Sequence, residues 1–194
     1  MTDRRVVRTN QALRAAFRKL AQQYRFREIT VAQLTAEANI NRKTFYLHFD
    51  SIDDLADSFT AEIADQLLEL LLREPANHAP LNHPGVWFDR LSAFFEEAPT
   101  FYTFILTSDD YSFLSRRVKY RVAAGLAADF QKDYQLSALD AEIGVNFLID
   151  STLTLFRLYI TKQLGDLSSA EFRQRMVTLN LAGMRGFLKL AGGK

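Results

Sequence analysis

The chain has 194 residues, nearly half of them hydrophobic, which is enough to bury a core as one large domain or two smaller ones and excludes a disordered chain. It has no cysteine, so neither a disulfide framework nor a thiolate nucleophile is available, and the expected compartment is cytoplasmic. Residues 1–5 lead into no secretion-signal pattern, and the most apolar later stretch, 145–160, is broken by Asp150 and Arg157 and reads as too short to cross a bilayer, so no membrane partner is expected.

The net charge of +1 hides a strong asymmetry. Residues 1–49 carry 10 Lys or Arg against 3 Asp or Glu, a net of +7, whereas residues 50–194 carry 14 against 20, a net of −6. A basic head on an acidic body points to a localised polyanion-binding surface.

Leu13, Phe17, Leu20 and Tyr24 recur at helical spacing and predict an amphipathic helix over about 9–24. Thr30 is placed to cap a second helix with Val31, Leu34 and Ala38 on its apolar face. Asn39-Ile40-Asn41 then forms a break, with Asn39 closing one helix in left-handed backbone and Asn41 opening the next. The third helix is predicted from Arg42 to about Phe49. Asp50 or Ser51 caps a longer fourth helix, running toward Arg73 through Leu55, Phe59, Ile63, Leu67, Leu70 and Leu71. The stretch 74–85 holds three prolines and reads as a loop. Further helices are expected over 86–97, 100–107, 112–133, 138–164 and 170–191. With no strand-like alternation and no repeat, the expected fold is all-α: a three-helix head over residues 1–50 and a larger helical body over 51–194.

On the third helix Phe45 and Phe49 lie one turn apart and pack inward with Ile40. Lys43 and Leu47 then face outward, flanked by Thr44 and Tyr46. Arg42, Lys43 and Thr44 fill the first turn, the part of a recognition helix that meets base edges in the major groove. Arg or Lys can donate to guanine O6 and N7, and the Thr44 methyl or Leu47 can touch a thymine methyl.

The run from Thr30 to Phe49, TVAQLTAEANINRKTFYLHF, followed by Leu55, resembles the helix-turn-helix signature of the tetracycline-repressor (TetR) family. The resemblance is strong over about 8–58 and rests on Thr30, Ala38, Ile40, Thr44, Tyr46, His48, Phe49 and Leu55. It implies a dimeric, ligand-responsive transcriptional repressor bound to a palindromic double-stranded DNA operator. It also implies phosphate contacts from Thr30, Tyr46 and His48, and base readout by Arg42, Lys43 and Thr44. Asn39 replaces the usual turn glycine, Asn41 the usual serine cap and Lys43 a frequent glycine. Ile52 stands where the family often has a lysine reaching the DNA backbone, a contact for which Arg4, Arg5 or Arg8 are candidate substitutes.

In the body, Trp87, Phe88, Phe94, Phe101, Tyr102, Phe104, Tyr111 and Phe113 are candidates to line a pocket for a small, largely apolar effector, the alternative being that most are plain core. Phe59, Ile63 and Leu67 of the fourth helix can pack against these aromatic segments, making head and body mechanically continuous. Asn146, Asp150, Thr154 and Arg157 form one polar stripe; Asp150 and Arg157 either orient a ligand or form a solvated edge or an ion pair. The last two helices carry more apolar surface than one core contact requires. Ile143, Phe156, Ile160, Leu179 and Phe187, with small Ala182, Gly183 and Gly186 permitting close approach, are the expected homodimer interface.

An enzyme is not expected. His48, His78 and His83 form no metal-binding helix motif, adjacent acid pairs such as Asp53-Asp54 diverge on a helix, and no glycine-rich phosphate loop calls for a cofactor. A helical protein-interaction dimer without DNA function, and an activator of the same architecture, remain alternatives to the repressor.

Overall fold

The computed structural model of the protein describes residues 4–72, 80–83, 85–97 and 108–191. Within them the regular elements are all helical: α1 (Arg4–Ala21), α2 (Val31–Glu37), α3 (Arg42–Tyr46), α4 (Ile52–Leu71), α5 (Val86–Glu97), α6 (Ser112–Tyr134), α7 (Ala138–Ile160) and α8 (Ser169–Ala191). Short 3-10 turns occupy Phe26–Glu28, Pro80–Asn82 and Asp109–Tyr111. The helix expected over 100–107 lies outside the described residues.

Polar side chains at the helix ends set the boundaries. The Thr30 hydroxyl accepts from the Gln33 N–H at 3.2 Å, while the Gln33 side chain accepts from the Thr30 N–H at 2.8 Å. This reciprocal pair satisfies two donors that the first turn of α2 leaves orphaned. Asn39 takes left-handed backbone (φ 53°), and Asn41 opens α3 by accepting from the Thr44 N–H at 2.7 Å. Ser51 caps α4 through the Asp54 N–H at 3.1 Å. Three expected boundaries shift. α1 starts at Arg4 and ends before Tyr24, because the N–H groups of Gln23 and Tyr24 both turn back on the Leu20 carbonyl at 2.9 Å. α3 stops at Tyr46, with a single further turn of backbone bonding bringing Phe49 onto the Phe45 carbonyl. α7 stops at Ile160 rather than Leu164, since Lys162 turns left-handed (φ 59°).

α4 packs against α5 and α6, α7 lies between α6 and α8, and α5 leans on α8. Arg173 of α8 donates twice to the Asp89 carboxylate of α5, at 2.6 and 2.7 Å, and these bonds hold Asp89 below the usual carboxylate range. The Tyr134 hydroxyl, pushed up to about 12 by burial, accepts from the Leu81 N–H at 2.9 Å and ties the 80–82 turn to α6. α7 runs 23 residues and by length and composition is apolar enough to cross a membrane, unlike the shorter 145–160 stretch expected. One side of it is buried through Val145, Leu148 and Phe156; Leu139, Ile143 and Phe147 stay exposed.

The hydrophobic core of the head does not stop at residue 50. Leu13, Phe17, Leu34 and Phe45 belong to one buried cluster with Phe59, Phe94, Tyr111 and Leu114 of the body. At its centre the Tyr111 hydroxyl donates to the main-chain carbonyl of Tyr24 at 2.7 Å, and the Phe26 ring meets those of Phe113 (4.7 Å between centroids) and Tyr111 (6.1 Å). Burial, reinforced by the nearby carboxylates of Asp110 and Glu28, pushes the Tyr111 hydroxyl well up, so it remains a donor. Beside it, Arg14 of α1 bonds Ser58 at 3.2 Å and pairs with Glu62, and Arg117 of α6 meets Asp57 of α4 at 2.8 Å.

Two stability measurements check this description. Asn39→Ala should lower the unfolding free energy by about 1–2 kcal/mol, the cost of a Cβ in left-handed backbone without the local help of an asparagine, while Asn39→Gly should change it little. Tyr111→Phe should cost about 1 kcal/mol through the lost hydrogen bond. Urea denaturation followed by circular dichroism reads all three.

Candidate nucleic-acid interface and interior cavity

In α3 the side chains divide sharply. Phe45 is fully buried and Phe49 nearly so, whereas Tyr46 is 58% and Leu47 72% exposed. Arg42 and Lys43 are exposed, and Thr44 and His48 are half-buried. The Thr44 hydroxyl donates to the Asn41 side chain at 2.9 Å, which fixes its rotamer and leaves its methyl and oxygen lone pairs for a partner. Thr30, at the start of α2, is also exposed. Across α2, Lys19 meets Glu37 at 2.7 Å, so α1 grips the helix preceding the break from its last turn.

Thr30, Arg42, Lys43, Thr44, Tyr46, Leu47 and His48 therefore sit on or beside two short helices joined by the four residues 38–41, and the exposed basic side chains stand at the N-terminal end of α3. Ammonium, guanidinium, hydroxyl and imidazole donors on one rigid platform suit an anionic backbone flanking a groove. Ile52, half-buried against the head's core, supplies no charge at the start of α4, while Arg4, Arg5 and Arg8 are exposed at the start of α1.

Residues 13–59 match the family profile described as bacterial regulatory proteins, tetR family. The head is that of a TetR-family regulator. A second likeness, 41% identical over 70 residues, is to the uncharacterized HTH-type transcriptional regulator YxbF of Bacillus subtilis (strain 168); it covers 34% of this chain and spans only 18% of that protein's length. Over the whole molecule, the fold is like that of the crystal structure of the TetR family repressor AlkX from Dietzia sp. strain DQ12-45-1b, implicated in biodegradation of n-alkanes. The TM-score is 0.54 at 12% identity, covering 94% of this chain and 96% of that one. That likeness establishes the helical TetR-type architecture of head and body together.

Behind the TetR head lies a cavity of about 100 Å³ enclosed by α4, α5, α6 and α7. Its walls are almost wholly apolar, with Phe59, Ile63 and Leu67 of α4 facing Trp87 and Phe94 of α5 and Val118 of α6. Trp87 and Thr152 also border a second cavity, of about 80 Å³, between α5, α7 and α8, whose wall includes Asn180 and His83. Of the expected effector-binding residues, Trp87 and Phe94 among the described ones line the first cavity, and Phe88 lines the second. Phe101, Tyr102 and Phe104 lie outside the described residues. Tyr111 and Phe113 are turned away from it, because their rings are used in clasping the head at Phe26. Arg157 is exposed, and Asp150 stands outside the wall, paired with Lys119 at 2.9 Å. Sequence reasoning passed over Lys119 and the α6 wall. A lysine at a helical spacing otherwise occupied by Leu114, Val118, Val122 and Leu126 was the available signal.

The expected subunit face needs a similar correction. Phe156 is buried among Phe88 and Phe172 and faces the protomer's own interior. Ile160 and Phe187 are half-buried, whereas Ile143, Leu179, Ala182, Gly183 and Gly186 are exposed on one side of α7 and α8. Leu190 is exposed with them, as is Phe147, which the sequence reading missed. Gly183 admits the Phe147 ring, which a Cβ there would approach to 2.8 Å, while a Cβ at Gly186 meets nothing within 4 Å.

On this geometry, Lys43→Ala should relax base preference by about 1–3 kcal/mol at one position of the bound site. Tyr46→Phe and His48→Ala should instead weaken binding to all sequences alike, measured by fluorescence anisotropy on a panel of duplexes.

Proposed function

We propose that the chain is a ligand-responsive repressor acting in the cytoplasm as a homodimer on a roughly palindromic operator, with residues 1–50 as the DNA-binding head and 51–194 as the sensing and dimerising body. The observation that carries this reading is the single hydrophobic cluster running from Phe45 in the head to Leu114 at the cavity wall. Leu114 and Ser115 border the cavity, and they lie within one helical turn of Tyr111, the residue that holds the Tyr24 carbonyl. An apolar molecule that fits one arrangement of α4 and α6 better than another acts on the head through this junction. It changes operator affinity only by the difference in its affinity for the two arrangements, typically 1–3 kcal/mol or about 5–150-fold.

Homodimerisation is supported by the exposed apolar strip of Leu139, Ile143, Phe147, Leu179 and Leu190, which lies on the adjacent 23-residue helices α7 and α8. A two-fold pair of heads reads inverted half-sites in successive major-groove faces. Repression itself rests on likeness to proteins of this architecture. Selection of bound sequences from a random duplex pool tests the operator: a palindromic consensus recovered beside neighbouring genes supports the reading, and enrichment of no sequence rejects it.

Gly186→Arg is the discriminating variant for the dimer, since the side chain would enter open space in the protomer and leave its own packing intact. Light scattering should give a dimer for the unaltered chain and a monomer for the variant at micromolar concentration, with operator affinity lost in parallel.

A further inference from the structure

We infer that the body cavity takes an amphipathic carboxylate, a molecule with an apolar tail and one terminal anionic head, and that Lys119 holds the head at the cavity mouth. The inference rests on the effector reading above and specifies the ligand class for the same site.

Lys119 is the one charged side chain bordering the cavity among the described residues. Its hydroxyl-bearing neighbours are already engaged. Thr60 donates to the Asp57 carbonyl at 3.0 Å, Ser115 to the Ser112 carbonyl at 2.8 Å, and Thr152 accepts from the Asn180 side chain at 3.1 Å. The ammonium has three N–H donors, and Asp150, at 2.9 Å, is its hydrogen-bond acceptor among the described residues.

The two partners are not equally buried. The Lys119 side chain is 22% exposed and the Asp150 side chain 56%. The Lys119 stem joins the apolar wall, while its ammonium, paired with Asp150 and 5.2 Å from the exposed Tyr120 ring, stands at the cavity mouth. A tail filling the apolar space brings its terminal group to the mouth beside the ammonium, whose N–H donors there can take a further acceptor. A ligand carboxylate supplies it by a charge-assisted hydrogen bond, and Asp150, displaced, stays solvated at little cost. A neutral tail leaves the ammonium with less hydration and gains nothing there. A cationic head would meet Lys119 first, with Asp150 already neutralised by it.

The chain's single tryptophan, Trp87, lines the cavity and reports occupancy directly. The full-length protein is titrated with decanoate, 1-decanol and decyltrimethylammonium, each below its micellar concentration, by Trp87 fluorescence and by calorimetry. Decanoate should bind about tenfold or more tighter than decanol. Lys119→Met, which keeps the apolar stem, should abolish that preference while preserving decanol binding, and Asp150→Asn should tighten decanoate by freeing the ammonium. Equal binding of decanoate and decanol, a preference surviving in Lys119→Met, tighter binding of the cation, or no binding of any of the three overturns the inference. The effector reading is judged separately by operator affinity. Release by a neutral apolar compound alone leaves sensing standing without the carboxylate, and selective decanoate binding that leaves operator affinity unchanged leaves the carboxylate site standing without sensing.

Discussion

The contact on which the architecture depends is the grip of Tyr111 on the turn between α1 and α2. A three-helix head of some fifty residues has little interior of its own, and small domains are marginal when they stand alone. Here the head borrows interior from the body. Phe17 and Phe26 sit against Tyr111, and Phe17 against Phe59 at 6.0 Å, so the side chains that order the head are supplied in part by α4 and by the start of α6. The hydroxyl of Tyr111 then fixes the register of that contact, because it donates to the Tyr24 carbonyl oxygen at 2.7 Å.

This arrangement links the reading surface to the cavity through the same two helices. α4 leaves the head directly after Phe49 and passes the cavity with Phe59, Ile63 and Leu67; α6 starts at the clasp and passes it with Leu114 and Val118. The side chain of Leu68 seats against the Gly125 backbone, where a Cβ would come within 2.6 Å, so α4 and α6 cross closely alongside the cavity, whose lining runs on to Leu71 and Leu126. Displacement within it is directed along them rather than absorbed by loops, as expected of close-packed elements with little free volume.

Much of the head was legible from sequence because its signals are local. Thr30, Asn41 and Ser51 are short polar side chains that each close a hydrogen bond three residues away, and Asn39 tolerates the left-handed turn without any tertiary help. Lys43 and Leu47 followed from the burial of Phe45 by helical geometry alone. The body was less legible, because aromatic and apolar side chains serve core, cavity and subunit face with the same chemistry. Tyr111 reads as a pocket residue until its hydroxyl is seen to reach Tyr24, eighty-seven positions away in sequence. Phe156 reads as surface for a second subunit until Phe88 is found stacked on it at 5.2 Å. Asp150 was noticed for its place in a polar stripe, but its importance comes from Lys119, thirty-one positions earlier on a different helix.

The clasp between head and body also sets an asymmetry in which substitutions the chain tolerates. Tyr111 contributes a side-chain hydroxyl, whereas position 24 contributes its main-chain carbonyl, with its own side chain partly exposed. Any residue that keeps the turn can occupy position 24, proline included only if the N–H bond to Leu20 is dispensable. At position 111 the same joint demands a ring of one size carrying a donor at its tip. The hydrogen bond of the joint therefore constrains the side chain at position 111 but only the backbone at position 24.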